Sequence, residues 1–240
     1  LSEPKRGAGT LYLVPVPLGE TSPLASLPSA TLEVVRGLGV FAVEHARSAR
    51  RFLKLAGHPR PIQELECHLL GARSDGGAIE LLVARLLAGT DCGLMSEAGC
   101  PAVADPGAAL VRRAHAAGIR VEPLVGPSSI LLALMASGMN GQRFAFHGYL
   151  PVDRVERARR LKEAESRAGD ATQIFIETPY RNGALVQALL QHCRGDTLLC
   201  IAAGLTLPGA LVATRTIAQW KRDPPSIDRR PAVFLLYRGR

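Results

Sequence analysis

Residues Leu94–Gly107 read LMSEAGCPAVADPG, and how this stretch is taken decides the fold. The apolar run Cys92–Met95 predicts a strand, and the pattern over Ala108–Ala117 predicts a helix. Between them lie Gly99, Gly107, Pro101, Pro106 and two carboxylates, Glu97 and Asp105. A strand that exits into a long Gly/Pro loop before a helix marks the carboxyl edge of an α/β sheet, where such folds bind ligands. A loop of about a dozen residues inside a compact domain is usually functional, although a plain surface loop is the competing reading.

The flanking sequence fits an α/β sheet. Upstream, Thr10–Val16 (TLYLVPV) predicts a first strand that breaks at Pro15, Pro17 and Gly19. Thr31–Leu38 predicts a helix, Val40–Val43 a buried strand ending on Glu44, and Arg47–Ala56 a basic amphipathic helix closed by Gly57. Ile62–Cys67 reads as a short strand and Gly77–Leu87 as a helix. Downstream, Ile119–Leu124 predicts a strand, and Gly126–Gly138 (GPSSILLALMASG) an almost wholly apolar helix suited to an interior or an interface. Strand and helix alternate with short links, which predicts a mainly parallel sheet covered on both faces.

Beyond this half, Phe144–Tyr149 with Pro151 reads as a hinge-like segment and Arg154–Arg167 as a charged helix. Gln173–Glu177, Thr197–Ala203, Ala210–Thr216 and Pro231–Tyr237 predict strands, and Asn182–Cys193 a helix. The expected architecture is α/β with two lobes, 1–125 and 126–240, the second smaller and more mixed.

The 240 residues carry 47% hydrophobic and 21% charged side chains, ordinary for a globular chain. The net charge of +8 is nearly all arginine, which favours bidentate contacts with phosphate or carboxylate, although basic charge alone points only weakly to nucleic acid. The cysteines at 67, 92, 100, 193 and 200 form no C-x-x-C and no zinc spacing. Cys92, Cys193 and Cys200 read as small buried hydrophobes, and a reducing cytoplasm is expected. No apolar run is long enough to span a membrane, and LSEPKRGAG is followed by no signal-type core.

Three segments at strand ends share one character: Pro15–Gly19, Ser96–Gly107 and Gly126–Ser129. Each offers small residues and free backbone groups, and none matches a P-loop or G-x-G-x-x-G. Carbonyls and carboxylates without a lysine suit a nucleoside bearing a positive centre. Asp105, in Asp-Pro-Gly before a helix, is read first as a helix cap. Glu97 has no comparable structural explanation.

The segments LYLVPVPLG, AVEHAR, LMSEAGCPAVADPG, GIRVEPLVGPSS, FAFHGYLP and FIETPYR follow the order and spacing of the tetrapyrrole methylase superfamily, the class III S-adenosylmethionine-dependent methyltransferases. Within it the chain most resembles the ribosomal RNA small subunit methyltransferase I family, which methylates a cytidine 2′-hydroxyl in 16S rRNA. The resemblance implies two α/β lobes with S-adenosylmethionine in the cleft between them, a homodimer, no metal, no membrane, a cytoplasmic location and a role in rRNA processing on the small ribosomal subunit. Pro17, Leu18 and Gly19 match its first cofactor loop. Ser96, Glu97, Ala98, Gly99, Cys100, Pro101 and Val103 match the central loop, where the family pattern is S-D-A-G-T-P. Ser128, Ser129 and Ile130 match a serine-bearing helix start, and Thr178 and Pro179 the second lobe's contribution. Glu177 matches the Glu of Y-E-S-P-H-R.

The sequence also departs from the family pattern, and the cofactor half of the resemblance is better supported than the substrate half. The pattern A-E-D-T-R-x-T reads Val43-Glu44-His45-Ala46-Arg47-Ser48-Ala49, the usual Gly-Asn reads Gly19-Glu20, and R-E-L-T-K reads Ala203-Gly204-Leu205-Thr206-Leu207. The alternatives are a methyltransferase on a tetrapyrrole or other small molecule, and a degenerate paralogue that binds cofactor or RNA without turnover. A ribose hydroxyl acceptor must lose its proton, so the candidate catalytic acids are Glu177, which is preferred, and Glu44, with His45 and Glu97 behind them. Glu44 is equally open to an ion pair with Arg47 or Arg50. Arg47, Arg50, Arg51 and Lys54, and then Arg154, Arg157, Arg159 and Arg160, form two basic sets able to track an RNA backbone, the second interrupted by Glu156, Glu163 and Glu165.

Overall fold

The structure, a computed structural model, describes residues 7–71, 76–227 and 229–239. Most of the N-terminal stretch read above for a leader, 1–6, lies outside the described residues. The chain falls into two compact units, Leu1–Ser128 and Ser129–Arg240.

The first unit runs β1 (Thr10–Val14), α1 (Ser29–Gly37), β2 (Val40–Val43), α2 (Ala46–Leu55), β3 (Glu66–Leu69), α3 (Gly76–Leu87), β4 (Cys92–Met95), α4 (Ala108–Ala116) and β5 (Arg120–Pro123). Its sheet has the order β3-β2-β4-β1-β5, every pair parallel, as the alternation of strands and helices requires. Both faces are buried, and the period of two along β2 divides them. Phe41 and Val43 join a cluster with Leu32 of α1 and Phe52 and Leu53 of α2. Val40 and Ala42 face Leu82 and Leu86 of α3 and Leu110 of α4. The register then fixes where the loops leave: Val14 and Val43 both lie opposite Met95. The chains that follow β1, β2 and β4 therefore exit side by side from one edge.

Two elements of this unit differ from expectation. Ile62–Cys67 is not one strand: Ile62–Glu64 forms a 3-10 turn after Pro61, and β3 starts at Glu66. The expected helix from Gly126 begins only at Ser129, because Gly126 precedes Pro127 and is held out of the helical region.

The second unit runs α5 (Ser129–Ser137), β6 (Phe144–Tyr149), α6 (Arg154–Arg167), β7 (Thr172–Glu177), α7 (Asn182–His192), β8 (Leu198–Ala203), β9 (Leu211–Thr216), α8 (Ile217–Arg222) and β10 (Ala232–Tyr237). The segment read as a hinge is β6, which pairs in parallel with β7 and slips register between Phe146 and Tyr149, where Gly148 has φ +67°. Its aromatic residues form a strand, and the glycine supplies the irregularity. The sheet is mixed, β6-β7-β10-β8-β9, with β10 antiparallel to both neighbours. Phe234 of β10 packs with Phe175, Leu161 of α6, Leu189 of α7 and Trp220 of α8. On the opposite face α5 contributes Ala133 and Leu134 against Val233 and Leu235.

Phe234 is fully buried at the centre of its sheet. Phe234→Ala is expected to lower stability by about 3–5 kcal/mol, read from the urea midpoint.

Candidate functional site

The three glycine- and proline-bearing loops meet at the carboxyl edge of the first sheet. Pro15 has no N–H to continue β1, and Val16 instead pairs with Gly99 in an isolated antiparallel bridge. Its two hydrogen bonds are Val16 N to Gly99 O, 2.9 Å, and Gly99 N to Val16 O, 3.0 Å. A Cβ on Gly126 would lie 2.2 Å from Pro15 Cγ, so the third loop passes directly over the first. The Cys100 thiol points at Pro127 O, 3.5 Å, and the Thr31 hydroxyl of α1 donates to Val125 O at 2.8 Å.

The central loop holds its shape with an unusual backbone. Gly99 (φ +72°), Ala102 (φ +63°), Ala104 (φ +65°) and Gly107 (φ +129°) all have positive φ. Gly107 is also required by space, because a Cβ there would meet Leu94 Cδ2 at 2.7 Å. For the two alanines the left-handed region costs roughly 1–2 kcal/mol each, strain of the kind that collects at functional sites.

One face of this arrangement opens a cavity of about 700 Å³ beside α2. Of the residues expected to bind a cofactor, Pro17, Gly19, Ser96, Glu97 and Ala98 line it. Leu18 Cδ2 lies 3.2 Å from the position a Gly99 Cβ would take, Pro101 is buried, and Val103 is 46% exposed and outside the cavity wall. Ser128 ends the first unit, and Ser129 and Ile130 open α5, where Ile130 packs on the Leu235 cluster. Thr178 and Pro179 form the turn after β7.

The acidic candidates divide sharply. Glu177 is buried; its Oε1 accepts from Thr178 N at 2.7 Å and its Oε2 faces Arg181 at 2.8 Å. Both oxygens thus hold the turn between β7 and α7. Glu44 follows β2 directly and has no ion pair among the described residues, with Arg47, Arg50 or otherwise. One ligand atom from each of Glu44, His45 and Glu97 lies within 4.8 Å of the others. Glu97 has the structural role that the sequence did not disclose. It accepts from the Ser48 hydroxyl at 2.7 Å and faces His45 Nδ1 at 3.4 Å, at the positive N-terminus of α2.

Asp105 is not a helix cap. The residue capping α4 is Gly107, with no side-chain cap, and Asp105 turns back toward Ser96. Burial first, and then the Glu44 and Glu97 carboxylates, push its carboxyl up to about 6, against the Ser96 hydroxyl, which pulls it down. A carboxyl raised to about 6 thus sits with two other carboxylates, Glu44 and Glu97. Sequence reading misplaced it because Asp-Pro-Gly is cap-like on its own, and the partners come from β2 and β4.

The remaining sites are quieter. All five cysteines are free, and burial pushes the Cys92 and Cys193 thiols up to about 12. Among the described residues no helix is long and apolar enough to cross a membrane.

The chain belongs to the tetrapyrrole (corrin/porphyrin) methylase family, whose sequence profile matches residues 10–220 and whose cofactor is S-adenosylmethionine. It is 37% identical over 174 residues to the ribosomal RNA small subunit methyltransferase I of Pseudomonas aeruginosa, covering 72% of this chain and 58% of that one. To the protein of the same name in Haemophilus influenzae it is 35% identical over 231 residues, 95% of this chain and 78% of that one. The chain spans about three fifths of the length of several such relatives. The fold is shared with diphthine synthase (TM-score 0.69, 16% identity, 95% of this chain and 90% of that one). It is also shared with the methyltransferase CobJ (TM-score 0.61, 18% identity, 96% and 94%).

Gly126→Ala forces a methyl into the Pro15 ring and is expected to destabilise the protein by about 1–3 kcal/mol in urea, while Gly141→Ala, in open space, stays within about 0.5 kcal/mol. Asp105 makes the stability depend on pH. The folded protein holds a proton between the ordinary value of 3.8 and about 6 that the unfolded chain has released, so stability falls as pH rises through that window. Asp105→Asn should therefore raise stability by about 1 kcal/mol at neutral pH, a figure discounted for partial exposure. The gain should vanish at pH values below 3.8, as read by thermal melts across pH.

Proposed function

We propose that the chain is an S-adenosylmethionine-dependent methyltransferase acting on ribosomal RNA, with a ribose 2′-hydroxyl of the small-subunit RNA as acceptor. The observation that carries this reading is the meeting of the Val16–Gly19, Ser96–Gly107 and Gly126–Ser128 loops through the Val16–Gly99 bridge. The relatives named ribosomal RNA small subunit methyltransferase I support the acceptor.

The donor set suits a sulfonium cofactor. The loops carry no lysine or arginine, contain Glu97 and Asp105, and stand next to Glu44. We assign Pro17, Leu18, Gly19, Ser96 to Pro101, Val103 and Ser128 to holding it. Ser129, Ile130, Thr178 and Pro179 are assigned on resemblance and are read by the same calorimetry on alanine variants. The cofactor supplies an electrophilic methyl group on a sulfonium.

The rest of the work falls to this chain. The rigid loop cluster fixes position, which supplies most of the catalysis of an in-line displacement. The bound cofactor would supply the methyl group to the acceptor oxygen and be left as a neutral thioether, and a carboxylate of the Glu44–Asp105 group would take the hydroxyl proton. Asp105, its carboxyl pushed up to about 6 by burial, is assigned that role, because an acceptor near the working pH is the most effective. Glu177 is assigned to holding the β7–α7 turn.

A cytoplasmic homodimer belongs to the same proposal, supported by Leu131 (51% exposed) and Met135 (79% exposed) on one face of α5. Sedimentation of the purified protein at dimer mass is expected. Calorimetry should show S-adenosylmethionine binding. Nucleoside mass spectrometry of 16S rRNA from cells with and without the gene should show a 2′-O-methylcytidine lost with it. Cofactor binding without any lost mark would overturn the acceptor and leave the degenerate reading.

A further inference from the structure

The two basic helix faces are not equivalent. On α6, Arg159 pairs with Glu156 and Glu163, Arg160 lies 3.4 and 3.6 Å from the same two acids, and Arg157 is buried. Arg159 and Arg160 are thus neutralised by their own i, i+3 and i, i+4 partners, while Arg154 has no carboxylate partner among the described residues. On α2, neither Arg47 nor Lys54 has a carboxylate partner among the described residues, and Arg50 reaches the Cys67 thiol. Arg51 has one partner, Glu20, at 2.6 Å.

Arg47 and Arg51 are one helical turn apart and rim the 700 Å³ cavity, whose apolar wall includes Phe52, Leu55 and Pro23. A flat apolar body against that wall and an anion at the rim is the chemistry of a nucleotide. Glu20 holds the anion's place. It stands where the related pattern has Asn, and it reaches Arg51 from the loop that also lines the cavity. That loop is imperfectly satisfied, since Thr21 Oγ1 and Ser26 Oγ are buried without a partner among the described residues.

We propose that the α2 side of this cavity, at Arg47, Arg51, Phe52 and Leu55, is the acceptor subsite beside the loop residues assigned to the cofactor, taking a nucleotide of an RNA chain with its phosphodiester on Arg47 and Arg51, and that Glu20 is a built-in competitor displaced by that phosphate. The proposal rests on the RNA methyltransferase reading and adds to it the residues that recognise the acceptor. A carboxylate that must be displaced lowers affinity for every RNA and sets a threshold that only a well-positioned phosphate passes. The pair is exposed, so the exchange is freely reversible.

The test is anisotropy of a labelled oligocytidylate RNA over a salt series, with S-adenosylmethionine calorimetry on each variant as the check of folding. Arg47→Gln and Arg51→Gln should each weaken RNA binding about tenfold. Each should also reduce the slope of log K against log salt by about 0.7, the value of one single-strand phosphate contact. Glu20→Gln should tighten binding about threefold or more, and Arg159→Gln on α6 should change nothing. If the wild type binds RNA but Glu20→Gln does not tighten it, or the α2 variants bind as the wild type does, the subsite is wrong while the methyltransferase reading stands. If the wild type ignores RNA and binds a carboxylated porphyrin instead, both fall.

Discussion

Two hydrogen bonds between Val16 and Gly99 organise the binding edge of this protein. They exist because Pro15 cannot donate to the sheet, so the chain leaves β1 with its next residue free to pair elsewhere. The partner must be a residue that tolerates φ +72° with Leu18 packed above it, and glycine at 99 meets both demands. With the first and central loops joined, Gly126 passes over the Pro15 ring at a distance that admits no side chain. The strand ends at Val14, Met95 and Pro123 would otherwise leave three independent loops. The bridge makes them one surface of main-chain atoms, and the strain at Ala102 and Ala104 is carried by that surface.

Charge is distributed over the surface in two fields. Glu44, Glu97 and Asp105 gather at the ends of β2 and β4, where the N-terminus of α2 and the hydroxyls of Ser48 and Ser96 offset part of their repulsion. A few residues along α2 the sign reverses at Arg47 and Arg51. Negative charge near the loops suits a cation and positive charge at the rim suits an anion, which is the basis on which the proposed function sorts its two ligands.

The first unit was largely legible, because β-branched and aliphatic runs such as Val40–Val43 and Cys92–Met95 are bounded by unmistakable Gly and Pro signals. The misreadings share a cause. Phe144–Tyr149 reads as a hinge in sequence because Gly148 and the neighbouring Pro151 mask a strand that only pairing with β7 defines. Asp105 looked like a cap because its local triplet is cap chemistry, while its partners, Glu44 and Ser96, lie 61 and 9 positions away in sequence. Ser48, the partner of Glu97, is likewise separated from it by 49 positions. Site residues that act through distant partners leave no periodic trace, whereas the loops that carry them do.

Around α2 the departures from the related sequences exchange charge, whereas Ala203–Leu207 loses the two cations and the acid of R-E-L-T-K. The related pattern has an acid where His45 stands and an Asp where Glu97 stands, which would put two carboxylates together at the start of α2. Here the longer Glu97 reaches the Ser48 hydroxyl and meets an imidazole 3.4 Å away, turning a repulsive contact into an attractive one. The negative charge removed at 45 reappears at Glu20, on the other side of the cavity and against Arg51. Arg47, the cation of the pattern, is retained and left without a carboxylate partner among the described residues. Around α2 the chain keeps that cation and sets the Glu20 carboxylate against the neighbouring Arg51, and on this arrangement the proposed competition with an acceptor phosphate rests.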